Sequence, residues 1–302
     1  MTLRRIFVGP AGIRAGWGVA IFIAIAAVEG GILFLIGRAF HLGSLRTVRE
    51  IAPLQLLVQE IVLVVMAAIP TFVMSRIENR PFLSYGFLGP RRFTRFLWGA
   101  LSGFVALTAL VGMLALAHSI VFEKTVLSGG AALAYGAVWF LVFFLVGIAE
   151  EAFTRGYLLF TLARGLNFFW AAILVSALFG VMHSGNLGES PTGLIGAAII
   201  GLVFCFSVWL TGSLWWAVGI HAAWDWSQSY LFGVADSGLR IKGHLLETQS
   251  AGAPWLSGGA TGPEGSVFVL LVMALLALVL YLVWGRRAAF RDKRSLFAQS
   301  SS

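Results

Sequence analysis

The sequence predicts an all-α fold: a polytopic membrane helical bundle with about eight transmembrane helices. Three observations carry that reading. Of the 302 residues, 59% are hydrophobic and only 11% are charged, and the mean hydropathy of +0.90 lies outside the range of a soluble domain. Apolar stretches of the roughly 20 residues that a span needs recur along the whole chain. Tryptophans stand at several of their edges (Trp17, Trp98, Trp170, Trp209, Trp215 and Trp284), where an amphipathic ring sits at headgroup level.

The spans begin near Trp17, Leu54, Phe96, Ala132, Phe168, Thr192, Leu214 and Ser266. The first follows Arg4, Arg5 and Arg14, but its length and the lack of a small-residue cleavage pattern favour a retained signal anchor over a signal peptide. Glu29 within it, and Gln59 and Glu60 within the second, read as polar contacts between helices. The fourth, fifth and seventh carry the chemistry discussed below. Cys205, the single cysteine, lies in the sixth and can form no internal disulfide. Asp236–Gly265, before the last span, is rich in Gly and Pro and carries His244 and Trp255. It reads as an ordinary connection, with a lid as the second reading. Neither a repeat nor a shift of composition marks a boundary, so residues 1–302 form a single transmembrane domain that ends in a basic cytoplasmic tail, 286–302.

A net charge of +8 invites a nucleic-acid reading, but the basic residues are scattered through short loops and the tail, and membrane topology explains them better. With eight spans and the N-terminus inside, 15 of the 21 Lys and Arg fall on the inner side and six on the outer. The excess predicts both termini in the cytoplasm and no nucleic-acid partner. The compact loops point to a bacterial inner membrane.

Ionisable side chains inside hydrocarbon-spanning sequence are costly and mark function. Here they are Glu150 and Glu151 in EEAFTR, His183 in FGVMH, and His221 with Asp225 in HAAWD. On a helix Glu151 and Arg155 face one way and form a structural ion pair, since a buried Arg needs a partner. Glu150 is turned about 100° away and is the better candidate for a base. Gly165–Asn167 breaks two helical stretches, with Glu150 fifteen residues before it and His183 sixteen after. At about 1.5 Å per residue, an antiparallel hairpin brings both to the same height. A membrane exit near Arg155 conflicts with this unless the fourth helix is long or its last part lies along the interface. Phe179 shares a face with His183, and Asp225 lies one turn from His221, where it can orient the imidazole or join it as a metal ligand.

EEAFTR followed by Gly156 and Tyr157, then FGVMH, then HAAWD, resembles the three-motif pattern of the CPBP family, which comprises the type II CAAX prenyl endopeptidases and the Abi-type bacteriocin-processing and immunity proteins. The resemblance covers a core of about 132–232, and residues 1–131 are additional N-terminal helices. It implies a helical intramembrane protease with a membrane cavity open toward the cytoplasm. Carried over by motif, Glu150 activates water, His183 binds or polarises it, and His221 with Asp225 holds the carbonyl oxygen as charge develops. The chain departs from the prenyl endopeptidases in having Asp225 where they favour Asn. An ionised Asp cannot donate to an oxyanion, so Asp225 is protonated, orients His221 or ligates a metal. A catalytic zinc held by His183, His221 and Asp225 with Glu150 as base stays open beside metal-free glutamate catalysis, although no HExxH is present.

The expected function is an intramembrane endopeptidase, glutamate or metallo type, acting on a membrane-embedded or lipidated peptide within the lipid bilayer. The cofactor is none or a divalent metal such as zinc. The alternatives are a non-catalytic immunity or membrane partner protein, which has no need of all three motifs, and a proton-coupled transporter, which would carry ionisable residues in both halves.

Overall fold

The computed structural model describes residues 4–10, 12–40 and 50–285. The basic tail at 286–302 and Arg46 and Arg49 of the charge tally lie outside them. Among the described residues, seven helices are long and apolar enough to cross a membrane. They are α1 (Ala15–Ala39), α2 (Pro53–Ile77), α3 (Arg92–Leu116), α4 (Gly129–Gly165), α5 (Phe168–Gly185), α6 (Pro191–Thr211) and α8 (Phe268–Gly285). The remaining expected span, α7 (Trp215–Asp225), has 11 α-helical residues and runs into a six-residue π turn, Trp226–Leu231. The bundle is therefore all-α, as the sequence predicts, and its seventh crossing is short.

Side chains such as Phe34, Leu35, Leu133, Leu141, Leu271 and Leu282 are exposed, as helices facing lipid require. In lipid no hydrophobic drive brings helices together, so close packing must do so, and small residues permit it. At the α3–α7 crossing a Cβ on Gly99 would strike the Trp216 carbonyl, one on Gly103 the Ile220 carbonyl, and one on Gly219 the Phe96 carbonyl. Leu107, Leu110, Phe204, Trp216, Ile220 and Met273 fill the core around this crossing. A second core joins α1, α4 and α5 through Phe22, Tyr157, Leu159 and Val175.

Two faces of the bundle differ. On one, Arg164 binds the buried carboxylate of Glu78 at 2.8 and 3.2 Å, and Tyr157 donates to it at 2.9 Å and Tyr85 at 3.2 Å. Burial and the Glu78 charge push the Tyr85 phenol up. On the other face, β1 (Ile120–Thr125) pairs antiparallel with β2 (Leu246–Ser250), and Ile51 bridges Ile241. The Asp236–Gly265 segment is not an ordinary connection. It folds down as a roof, fixed to the helix ends by Asn186 donating to the Ser237 carbonyl and Thr261 to Glu189.

Candidate active site

The fourth helix resolves the conflict over its exit by being 37 residues long, with a π turn at Ala152–Gly156. That turn follows directly on Glu150 and Glu151, and the second π turn follows directly on Asp225. A π turn adds a residue to the helical repeat and so redirects the side chains around it. Gly147 lets α4 lie against α7, because a Cβ there would sit 2.9 Å from the Val218 carbonyl oxygen. These local features bring the three motifs together.

Glu150 Oε2 lies 3.9 Å from His183 Nε2 and 3.7 Å from His221 Nε2, and it has no hydrogen-bond partner of its own. The hairpin expected from the spacing of Glu150 and His183 is thus the observed one. Asp225 Oδ2 stands 3.5 Å from His221 Nε2. His183 Nδ1 is 2.8 Å from the Phe179 carbonyl oxygen, which can only accept, so Nδ1 carries the hydrogen and Nε2 turns to Glu150. Glu151 accepts from Arg155, the ion pair expected from spacing, and its Oε1 also lies 3.1 Å from His221 Nδ1.

Arg155 is fully buried, and its guanidinium carbon sits 4.4 Å from the Phe179 ring centre and 5.1 Å from that of Phe204. The same two rings pack on the site: Phe179 is 4.8 Å from the His183 ring and Phe204 is 5.4 Å from the His221 ring. The two rings therefore pack against both the imidazoles and the guanidinium. Gly201 leaves room for that cation, since a Cβ would lie 2.7 Å from Arg155 Nη2.

Glu150, His183, His221 and Asp225 open onto one cavity of about 190 Å³. Its wall also includes Glu60, Asp236 and Glu264, none of which was read from the sequence as part of a site. Glu60 was read as a contact between helices, and only its distance from the motifs in the chain hid it. Asp236 and Glu264 lie in the roof, where burial, then the charge of Glu264, pushes the Asp236 carboxyl well up. Across the roof, Trp224 Nε1 donates to Glu264 at 2.9 Å, Ser237 to Glu264 at 2.8 Å and Ser229 to Asp236 at 3.1 Å. Among the described residues, no three His, Cys, Asp or Glu side chains are grouped to hold a metal ion.

Residues 132–227 match the Rce1-like family, described as type II CAAX prenyl endopeptidase Rce1-like. The matched stretch contains all three motifs and lies inside the core that carries the resemblance. No curated protein and no solved structure matches the chain.

Proposed function

We propose that the protein is an intramembrane endopeptidase that hydrolyses a peptide bond by glutamate-activated water. The family match supports the class of reaction. The observation that carries the mechanism is the unpartnered Glu150 Oε2, 3.7 and 3.9 Å from two imidazole Nε2 atoms. Gaps of that size are too long for direct hydrogen bonds and suit one water molecule held between the three atoms.

Glu150 takes a proton from this water as its oxygen attacks the carbonyl carbon of the peptide. His183, with its hydrogen on Nδ1, offers the Nε2 lone pair to a second water hydrogen and aligns the attack. The carbonyl π electrons move onto oxygen, and His221, carrying hydrogens on both nitrogens, donates from Nε2 to that oxyanion. Glu151 accepts the hydrogen on Nδ1, and Asp225 stands 3.5 Å from the donating Nε2, beside the position of the oxyanion. The tetrahedral intermediate then collapses. The C–N bond breaks, the proton held by Glu150 passes to the leaving nitrogen, and a carboxylic acid and an amine result.

The substrate class that suits the site is a peptide held in or against the bilayer, lipidated or simply hydrophobic. The basic-residue excess supports cytoplasmic termini. With that orientation the cavity lies beneath the outer loops, since Ile51, Asp236, Leu239 and Glu264 line it and no residue of 78–91 does. This departs from the cytoplasmic opening that the resemblance implies.

The test is cleavage of a library of lipidated and hydrophobic peptides by detergent-purified protein, comparing wild type with Glu150→Gln, each with and without a chelator. Cleavage lost in Glu150→Gln and kept under chelation is expected. Cleavage lost under chelation and restored by zinc would overturn the metal-free mechanism. Cleavage unchanged in Glu150→Gln would overturn the role of Glu150.

A further inference from the structure

Five carboxyl groups line the cavity, those of Glu60, Glu150, Asp225, Asp236 and Glu264, and among the described residues no lysine or arginine does. The buried cation behind the wall, Arg155, is engaged by Glu151 and covered by the Phe179 and Phe204 rings. Only the imidazoles of His183 and His221 face the carboxylates: both flank Glu150, and His221 also lies beside Glu151 and Asp225.

Glu60 stands out in this wall. Its residue is 1% exposed, its Oε1 accepts from Gln59 at 3.3 Å, and its Oε2 has no partner. A buried carboxylate left incomplete is costly. A helix contact, the role its sequence position suggests, would have supplied the missing donor. Glu60, on α2, instead lines the cavity together with the roof residues Asp236 and Glu264.

We propose that this wall is a subsite for an organic cation, the lysine or arginine side chain of a peptide whose scissile bond lies at Glu150. The proposal rests on the peptidase reading. A metal ion requires donors gathered around one point, which these carboxylates do not provide among the described residues. Spread around a cavity of about 190 Å³, they suit a longer group. Leu56, Leu63 and Ile51 share the wall with Glu60 and offer apolar surface to the methylene stem. The charged head then supplies the donor that Glu60 Oε2 lacks. A hydrophobic peptide bearing one basic residue near its cleavage point is the substrate this predicts.

The experiment measures binding apart from cleavage. Full-length Glu150→Gln protein in detergent is titrated against two dye-labelled, leucine-rich nonapeptides, acetylated and amidated at their ends, that differ only in a central lysine or norleucine. The lysine peptide is expected to bind at least about tenfold more tightly, and this ratio to fall below about threefold when Glu60→Gln is added. Glu60→Gln keeps the shape of the side chain, its folding is checked by thermal unfolding, and the comparison of the two peptides itself needs no change at Glu60. Equal binding of the two peptides overturns the proposal, as does displacement of the lysine peptide by millimolar calcium, magnesium or zinc alone. Wild-type cleavage of both peptides is scored separately: absence of cleavage of either peptide counts against the peptidase reading, whereas cleavage without lysine preference counts against the subsite alone.

Discussion

His221 Nδ1 lies 3.1 Å from Glu151 Oε1, the same oxygen that accepts from Arg155. One carboxylate oxygen therefore neutralises a buried guanidinium and fixes which nitrogen of His221 faces the cavity. The second glutamate of the motif is a positioning residue as well as a structural one.

Glu150→Gln should lower peptidase turnover by about 10²–10⁴, the usual contribution of a general base, while the melting temperature stays near that of wild type. The carboxylate makes no hydrogen bond through Oε2 that the amide would lose. Turnover and thermal unfolding on the same preparation check this, and an equal loss of folded protein would point to a structural role.

Arg155→Ala and Glu151→Ala should each cost about 3–5 kcal/mol, because each leaves its partner as an uncompensated buried charge. Size-exclusion profiles of detergent extracts would read this as lost monodisperse protein. Glu151→Gln retains an acceptor for His221 Nδ1, so it should yield more folded protein than Glu151→Ala. Equal yields from the two would count against the contact with His221.

Gly201→Ala tests how tightly the guanidinium is held. The added methyl would meet Arg155 Nη2 at 2.7 Å and the Ser176 Cβ at 3.2 Å, so a loss of about 1–3 kcal/mol is expected. An unchanged melting temperature would show that Arg155 can shift freely between Phe179 and Phe204.

Asp225→Asn should retain activity if the residue works beside the oxyanion, since the amide supplies a donor. A collapse of activity with normal folding would show that the negative charge beside His221 Nε2, 3.5 Å away, is required.

The roof should respond to pH through Asp236. Burial and Glu264 raise its carboxyl well above the ordinary 3.8, so the folded protein holds this proton more tightly than the unfolded chain. Its contribution to stability is complete below about 3.8 and declines as pH rises. Asp236→Asn should remove that decline. Melting temperatures of the two proteins between pH 4 and 8 check it, and parallel curves would refute it.

Much of the site was legible because helical spacing converts directly into geometry. Glu150 and His183 stand at matched distances from Gly165–Asn167, and Glu151 and Arg155 four apart, so their meetings follow from rise and turn alone. Phe204, Glu60, Asp236 and Glu264 were not legible, because each reaches the site through packing between distant segments. No periodicity links Glu60 on α2 to Glu264 in the roof. The seventh crossing was found as an apolar stretch, but its π turn was not, since hydropathy is blind to a change of helical repeat.

The roof is sewn from segments far apart in the chain: Ile51 bridges Ile241, β1 pairs with β2, and Glu189 takes the Thr261 hydroxyl. During synthesis the helices bearing Glu150, His183 and His221 emerge before residues 236–264. Until those residues arrive, the carboxyl and imidazole groups of a nascent chain have no cover. Synthesis of residues 236–264 is thus the step that turns an open cleft into an enclosed one.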